Sequence, residues 1–203
     1  MQALGRPGSH FGQRADRTVG RHGKAGRRRR DRCHRSGRGR SVMSDTYEKL
    51  ITLLDANKAS YRLIDHAPEG QTDKVSALRG HPVEAAAKCI VLIVKIGRKT
   101  SRFILAVVPG NARVDTVRVK SLFNGATYAG FAATDVAERL AGSVAGTVLP
   151  FTFHPDLTLI ADPSITNQEE LFFNAARLDR SMALRVSDYI ALAKPRIERI
   201  AAS

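Results

Sequence analysis

From residue 43 onward, apolar positions fall into short periodic runs separated by Gly, Pro and polar clusters. Tyr47, Leu50, Ile51 and Leu54 share one face at helical spacing, which predicts a helix over 45–57 with Ser44 as its N-cap. "SYRLIDH" predicts a short strand, "APEGQT" a loop, and "TDKVSALRG" a short helix stopped by Gly80. Pro82 opens a further turn. Two strands follow, 88–96 and 102–108, joined by a hairpin turn at "GRKTS". "NARVDTVRVKSLFNG" predicts a helix with Gly125 just past its end, and "ATYAGF" a weak strand. "TDVAERLAG" predicts a helix capped by Thr134 and closed by Gly142. After the loop "SVAGTVLPFTFHP" come three strands, "LTLIAD", "ELFFNA" and "SMALRV". A last helix is expected from Ser187, kinked by Pro195 within it.

Strands and helices interleave, but short turns join several strands. That pattern predicts an α+β fold with a mixed, largely antiparallel sheet flanked by helices, rather than a doubly wound parallel sheet. No Gly-rich fingerprint connects a strand to a helix, so a nucleotide-binding fold is excluded.

Charge changes the picture only at one end. Of 33 Lys and Arg against 19 Asp and Glu, residues 1–42 carry 13 basic and 2 acidic side chains and 8 of the 16 glycines. Such a segment cannot bury a core and is expected to be disordered. It reads as an RNA-binding arm, as an Arg-rich transit peptide, or as translated upstream sequence, with Met43 then the true start. We favour the last, since Arg and Gly codons are GC-rich. The body, 43–203, is nearly balanced in charge and long enough for one domain with a sizeable core. It has no apolar run long enough to span a bilayer and no signal-peptide core, so no membrane association is expected. Two cysteines, Cys33 and Cys89, make no disulfide framework and suit the cytoplasm. No metal-ligand spacing occurs, so neither metal nor cofactor is expected.

Three features could carry chemistry. "AAAKCIVLIVK" reads as a buried strand that nonetheless opens with Lys88; an ammonium there is either a solvated strand end or is aimed at something negative. If Lys88 faces a pocket, strict alternation puts Ile90 and Leu92 on that face and Cys89 and Val91 on the other, leaving Cys89 a small buried hydrophobe. "GTVLPF" pairs Gly146, free to adopt positive φ, with the stiff Pro150, and such a loop can present N–H groups to an oxyanion. Asn174 needs partners if buried in its strand, and Asp162, ending "LIAD", reads as a turn cap or as part of the site. No Ser-His-Asp order and no carboxylate pair stands out.

Taken together, "PVEAAAKCIVLIVK", "GTVLPF", "LTLIADP" and "FNAARLDRSMALRVSDY" resemble, in order and spacing, the YbaK/prolyl-tRNA-editing domain family over residues 44–200. The free-standing YeaK-type branch shares "PFxFHP" and the "FNA…LDxS" ending. The resemblance implies hydrolysis of the ester joining a wrong amino acid to the 3′-terminal adenosine of tRNA. It makes tRNA the partner, with no role for DNA. It matches Lys88 to a pocket lysine that meets the phosphate or ribose end, and Gly146 to the backbone that holds the carbonyl and water. It also puts Thr147, Pro150, Phe151, His154, Asp162 and Asn174 against the substrate. The ribose hydroxyl would assist the attack, which accounts for the missing triad. Departures from the family pattern at Leu149, Thr152, Ala175 and Ala176 touch the pocket, and a small substrate side chain such as serine, threonine or alanine is expected. The rival reading is a non-catalytic tRNA- or protein-binding module on the same fold.

Overall fold

The computed structural model describes residues 42–202; the predicted basic extension, apart from Val42, lies outside them. The element order is α1 (Val42–Ala56), β1 (Tyr61–Asp65), α2 (Thr72–Arg79), β2 (Ala87–Ile96), β3 (Thr100–Pro109), α3 (Thr116–Ser121), β4 (Ala126–Phe131), α4 (Thr134–Ala141), β5 (Leu157–Ala161), β6 (Glu170–Asn174), β7 (Arg180–Arg185), α5 (Val186–Ala193) and β8 (Arg196–Ile197). Short 3₁₀ turns at Val83–Ala85 and Pro163–Asn167 complete it. No helix among the described residues is long and apolar enough to cross a membrane.

The strands form two sheets, ordered β1-β7-β6 and β4-β2-β3-β5-β8. The first is antiparallel throughout. In the second, β2 pairs antiparallel with β3 and β4, while β3-β5 and β5-β8 are parallel. A single bridge, Ala86 to Phe172, links the start of β2 to β6. The fold class is therefore α+β with mixed, mostly antiparallel pairing, divided between two sheets.

Alternation explains the layering. Val91, Leu105, Val107, Leu157 and Leu159 point inward from the five-stranded sheet and meet Leu171, Phe173, Met182 and Leu184 of the three-stranded one. Leu50 and Leu54 of α1 and Tyr189 of α5 join that cluster. The alternate residues Leu92, Val94, Ile104, Ala106, Val108 and Ile160 build a second cluster on the opposite face, with Val119 of α3. A sheet buried on both faces reads as a nearly continuous apolar run, which is why β2 and β3 look so uniform in sequence.

Four local expectations need correction. The helix expected over 111–125 is only α3, started by Asp115, whose carboxylate accepts from Val117 N and Arg118 N. Thr134 is not a cap: Ala133 holds that position, without a side-chain bond. Pro195 does not kink α5. The helix stops at Ala193, Lys194 turns left-handed at φ 46°, and the chain leaves to pair as β8 beside β5; a proline just past a helix end cannot extend it. Ser44 does not head α1, which already includes Val42 and Met43.

Candidate active site

A cavity of about 440 Å³ opens where the 70–73 turn, the start of β2, the turn after β3, the 146–148 loop and the end of β6 converge. Gly70, Gln71, Thr72 and Asp73 form one wall, with Val75 and Arg79 of α2 behind them. Ala87, Lys88, Cys89 and Gly110 form another, and Gly146, Val148, Phe173 and Asn174 close it. A larger depression of about 820 Å³ lies elsewhere, but its lining sets two carboxylates, Glu169 and Glu170, against one cation, Arg185, which disfavours a polyanion.

Two glycines make the walls possible. Gly146 sits at φ 84°, and a Cβ on it would lie 2.9 Å from Gly70 Cα. Gly110 has no room for a side chain, since a Cβ would come within 2.3 Å of Val83 O. The 69–71 turn is held by Glu69, whose carboxylate accepts from Gly70 N and Gln71 N, each at 2.8 Å. The bond from Gln71 N–H is the main reason that carboxyl lies below its usual range.

Asn174 ties the two loops together. Its Nδ2 donates to Glu69 O at 2.9 Å and to Gly146 O at 2.8 Å. Its Oδ1 accepts from Arg79 Nη2 at 2.5 Å and from Ser181 Oγ at 2.9 Å. Arg79 also donates from Nε to Ser181 Oγ at 2.7 Å. Burial pushes the Arg79 guanidinium down to about 10, and no carboxylate pairs with it among the described residues. Lys88 is half-buried, and its Nζ donates to Ala112 O at 2.9 Å. Burial lowers its pKa, the nearby Arg113 lowers it further, and Asp73 opposes them. An ammonium has three donors, and the described residues take one of them. The cavity thus carries two cations and one carboxylate, Asp73.

The obvious nucleophiles are disarmed. Burial pushes the Cys89 thiol well up, which disfavours the reactive thiolate. Ser181 Oγ lies 2.5 Å from His66 Nε2, the spacing of a nucleophile and its base. Ser181 is nevertheless fully buried and is not part of the cavity wall, and its oxygen is already occupied by Arg79. Among the described residues no three His, Cys, Asp or Glu side chains converge as a metal would require. Gly146 and Val148 both line the cavity, and neither backbone N–H has an acceptor among the described residues.

The structure brings Lys88, Gly146 and Asn174 together and leaves the other expected site residues outside the wall. Thr147 is buried and returns both its N–H and its hydroxyl to Val144 O. Pro150 is buried behind the loop. Phe151 stacks edge-on to Tyr189 with centroids 5.5 Å apart, deep in the core. His154 accepts from Asp156 N in an outlying turn. Asp162 accepts from Ser164 N, Ser164 Oγ, Ile200 N and Ala201 N, and so acts as the turn cap. The expected facing of β2 also needs correction. Ala87 and Cys89 line the cavity, whereas Ile90 and Leu92 enter the second core cluster. Lys88 comes from that other face, and its long stem brings it to the cavity at the strand's first turn. Sequence reasoning missed Arg79, Gly70 and Gly110. The two glycines stood in plain view in "PEGQT" and "VPGN", but a helix-end arginine carries no signal of its own.

The chain is thus an α+β domain with a cavity lined by two cations and walled by glycine turns. The aminoacyl-tRNA editing domain matches residues 66–192, and the chain belongs to that family. It is 34% identical over 155 residues to the multifunctional Ser/Thr-tRNA deacylase ProXp-y of Escherichia coli (strain K12), covering 76% of this chain and 92% of that protein. Among solved structures, a hypothetical protein superposes with a TM-score of 0.68 at 16% identity, covering 76% of this chain and 99% of its own. A candidate trans-editing enzyme for prolyl tRNA synthetase superposes with a TM-score of 0.64 at 16% identity, covering 78% and 98%. These two establish likeness of fold.

Proposed function

We propose that the protein is an aminoacyl-tRNA deacylase that removes a wrongly attached small amino acid, serine or threonine first, from the 3′ end of tRNA in the cytoplasm. The Ser/Thr activity in the name of the Escherichia coli relative supports that order of preference. The observation that carries the reading is that two cations without a carboxylate partner among the described residues, Arg79 and Lys88, share one cavity with the Gly146 and Val148 N–H groups, which have no acceptor among those residues. The aminoacylated 3′ end of a tRNA bears a phosphate on one side of its terminal ribose and the ester carbonyl on the other. Lys88 would meet the phosphate or ribose end. The loop N–H groups would donate hydrogen bonds to the carbonyl oxygen as negative charge develops on it. Water adds to the carbonyl carbon, the ester C–O bond breaks, and the ribose oxygen leaves with a proton. The ester is already activated, so orientation and oxyanion donors can suffice without a protein nucleophile.

The test is hydrolysis of a panel of aminoacyl-tRNAs by the full chain, with Lys88→Ala beside it. Release of serine or threonine faster than release of larger amino acids is expected. Tight tRNA binding with no hydrolysis of any ester would instead make the protein a binding module.

A further inference from the structure

Arg79 lines the cavity, yet both of its observed hydrogen bonds go to protein side chains, Asn174 and Ser181. Glu69 O and Gly146 O can only accept, and Arg79 can only donate. The Asn174 amide can therefore lie only one way round, NH₂ toward the two loops and oxygen toward Arg79. Ser181 could help to hold it, but a hydroxyl has one hydrogen, and two acceptors compete for it. His66 Nδ1 lies 2.8 Å from Ala67 O. When Nδ1 holds the ring proton against that carbonyl, the bare Nε2 competes with Asn174 Oδ1 for the Ser181 hydrogen. Arg79 is the donor into Asn174 Oδ1 that does not depend on that competition.

We propose that Arg79 is a positioning residue: by donating to Asn174 Oδ1 and Ser181 Oγ at once, it fixes the amide that clamps Gly146 to the 69–71 turn. The clamp sets the Gly146 backbone against Gly70, and the N–H groups of Gly146 and Val148 stay without an acceptor among the described residues. Lysine cannot replace it, because one ammonium nitrogen cannot supply two donors in the fixed fork of a guanidinium. This assignment rests on reading the cavity as the deacylation site, so its test has an arm that does not depend on activity.

In that arm, the Asn174 side-chain NH₂ of the ¹⁵N-labelled full chain is followed by NMR. Two resolved protons with slowed exchange are expected in wild type, with faster exchange in Arg79→Lys. In the second arm, Arg79→Lys, Asn174→Asp and the double variant are assayed on aminoacyl-tRNA. Each single change is expected to lower kcat at least tenfold with KM within about threefold, and the double variant to be no worse than the poorer single one, as for residues acting as a unit. A raised KM with kcat unchanged would make Arg79 a substrate contact, and additive losses would separate it from Asn174; either overturns the assignment. So does a freely exchanging Asn174 amide in wild type, which requires no variant to fold. If no aminoacyl-tRNA is hydrolysed by wild type, the functional reading fails, and the exchange measurement still decides the clamp.

Discussion

Asn174 and Asp162 invite comparison. Asn174 ends β6 and Asp162 directly follows β5; they are 6% and 5% exposed, and each side chain makes four hydrogen bonds. They differ in what they can bind. A carboxylate only accepts, so Asp162 collects donors: the N–H groups of Ser164, Ile200 and Ala201 and the Ser164 hydroxyl. It stitches the C-terminal segment to the end of β5. An amide donates and accepts, so Asn174 can bridge two carbonyls and still be anchored from behind. It takes up the carbonyls of Glu69 and Gly146, while the N–H groups of Gly146 and Val148 keep no acceptor among the described residues. Burial and full satisfaction are the same at both sites, so neither property separates scaffold from site. What lies across the hydrogen bonds does.

The comparison breaks most sharply at Gly146. Gly146→Val puts a Cβ within 2.9 Å of Gly70 Cα at a backbone angle of 84° that β-branched residues avoid. Deacylation is expected to fall about 10²–10³-fold, the size of a lost oxyanion donor. The melting temperature is read on the same sample; a variant that melts and hydrolyses like wild type would remove the loop from the reaction.

Asp162→Asn should act in the opposite sense, on stability alone. It turns an acceptor toward three backbone N–H groups and a hydroxyl into a partial donor. The expected loss is about 3 kcal/mol, the scale of buried partners left unsatisfied, or about 10 °C in melting temperature for a domain of this size. The rate per folded molecule should be unchanged, and a selective loss of rate would return Asp162 to the site. The pH dependence sharpens the point. Burial alone would raise the Asp162 carboxyl, but its hydrogen bonds outweigh that and hold it below the usual range. A depressed folded pKa contributes stability that is present above the unfolded value of about 3.9. That stability is lost as pH falls through the folded value. The wild-type melting temperature should therefore drop below about pH 4 more steeply than that of Asp162→Asn.

Lys88→Ala should lower deacylation at least tenfold with the fold intact, because it removes a cation and only one hydrogen bond, to Ala112 O. A folded variant with wild-type kinetics would leave Lys88 a strand-end charge. The smallest effect is expected beside the clamp itself. Ala176 is fully buried at φ 55°, where a Cβ is strained. Ala176→Gly should relieve about 1 kcal/mol of that strain, less the extra chain entropy glycine brings. A rise of up to about 3 °C with unchanged activity is expected; a fall would mean the methyl packs better than it strains.

Periodicity and turn residues, which are local, were enough to determine the order of elements along the body as far as α5, the burial of β2, the hairpin between β2 and β3 and the freedom of Gly146 to adopt a positive φ. The motif order was enough to single out the family and to bring Lys88, Gly146 and Asn174 into one argument. Where local signals compete with pairing across the fold, sequence ran out. Pro195 left α5 because β5 offered its edge to Arg196 and Ile197. Strict alternation on β2 put Ile90 beside Lys88 and sent Cys89 away. The cavity, however, lies where the strand begins, so consecutive residues reach it from both faces. The roles of Asp162, Asn174 and Arg79 were decided by residues 38, 105 and 95 positions away in the chain. A polar side chain's chemistry is set by its type, but its task is set by its partners, and only the folded chain brings those together.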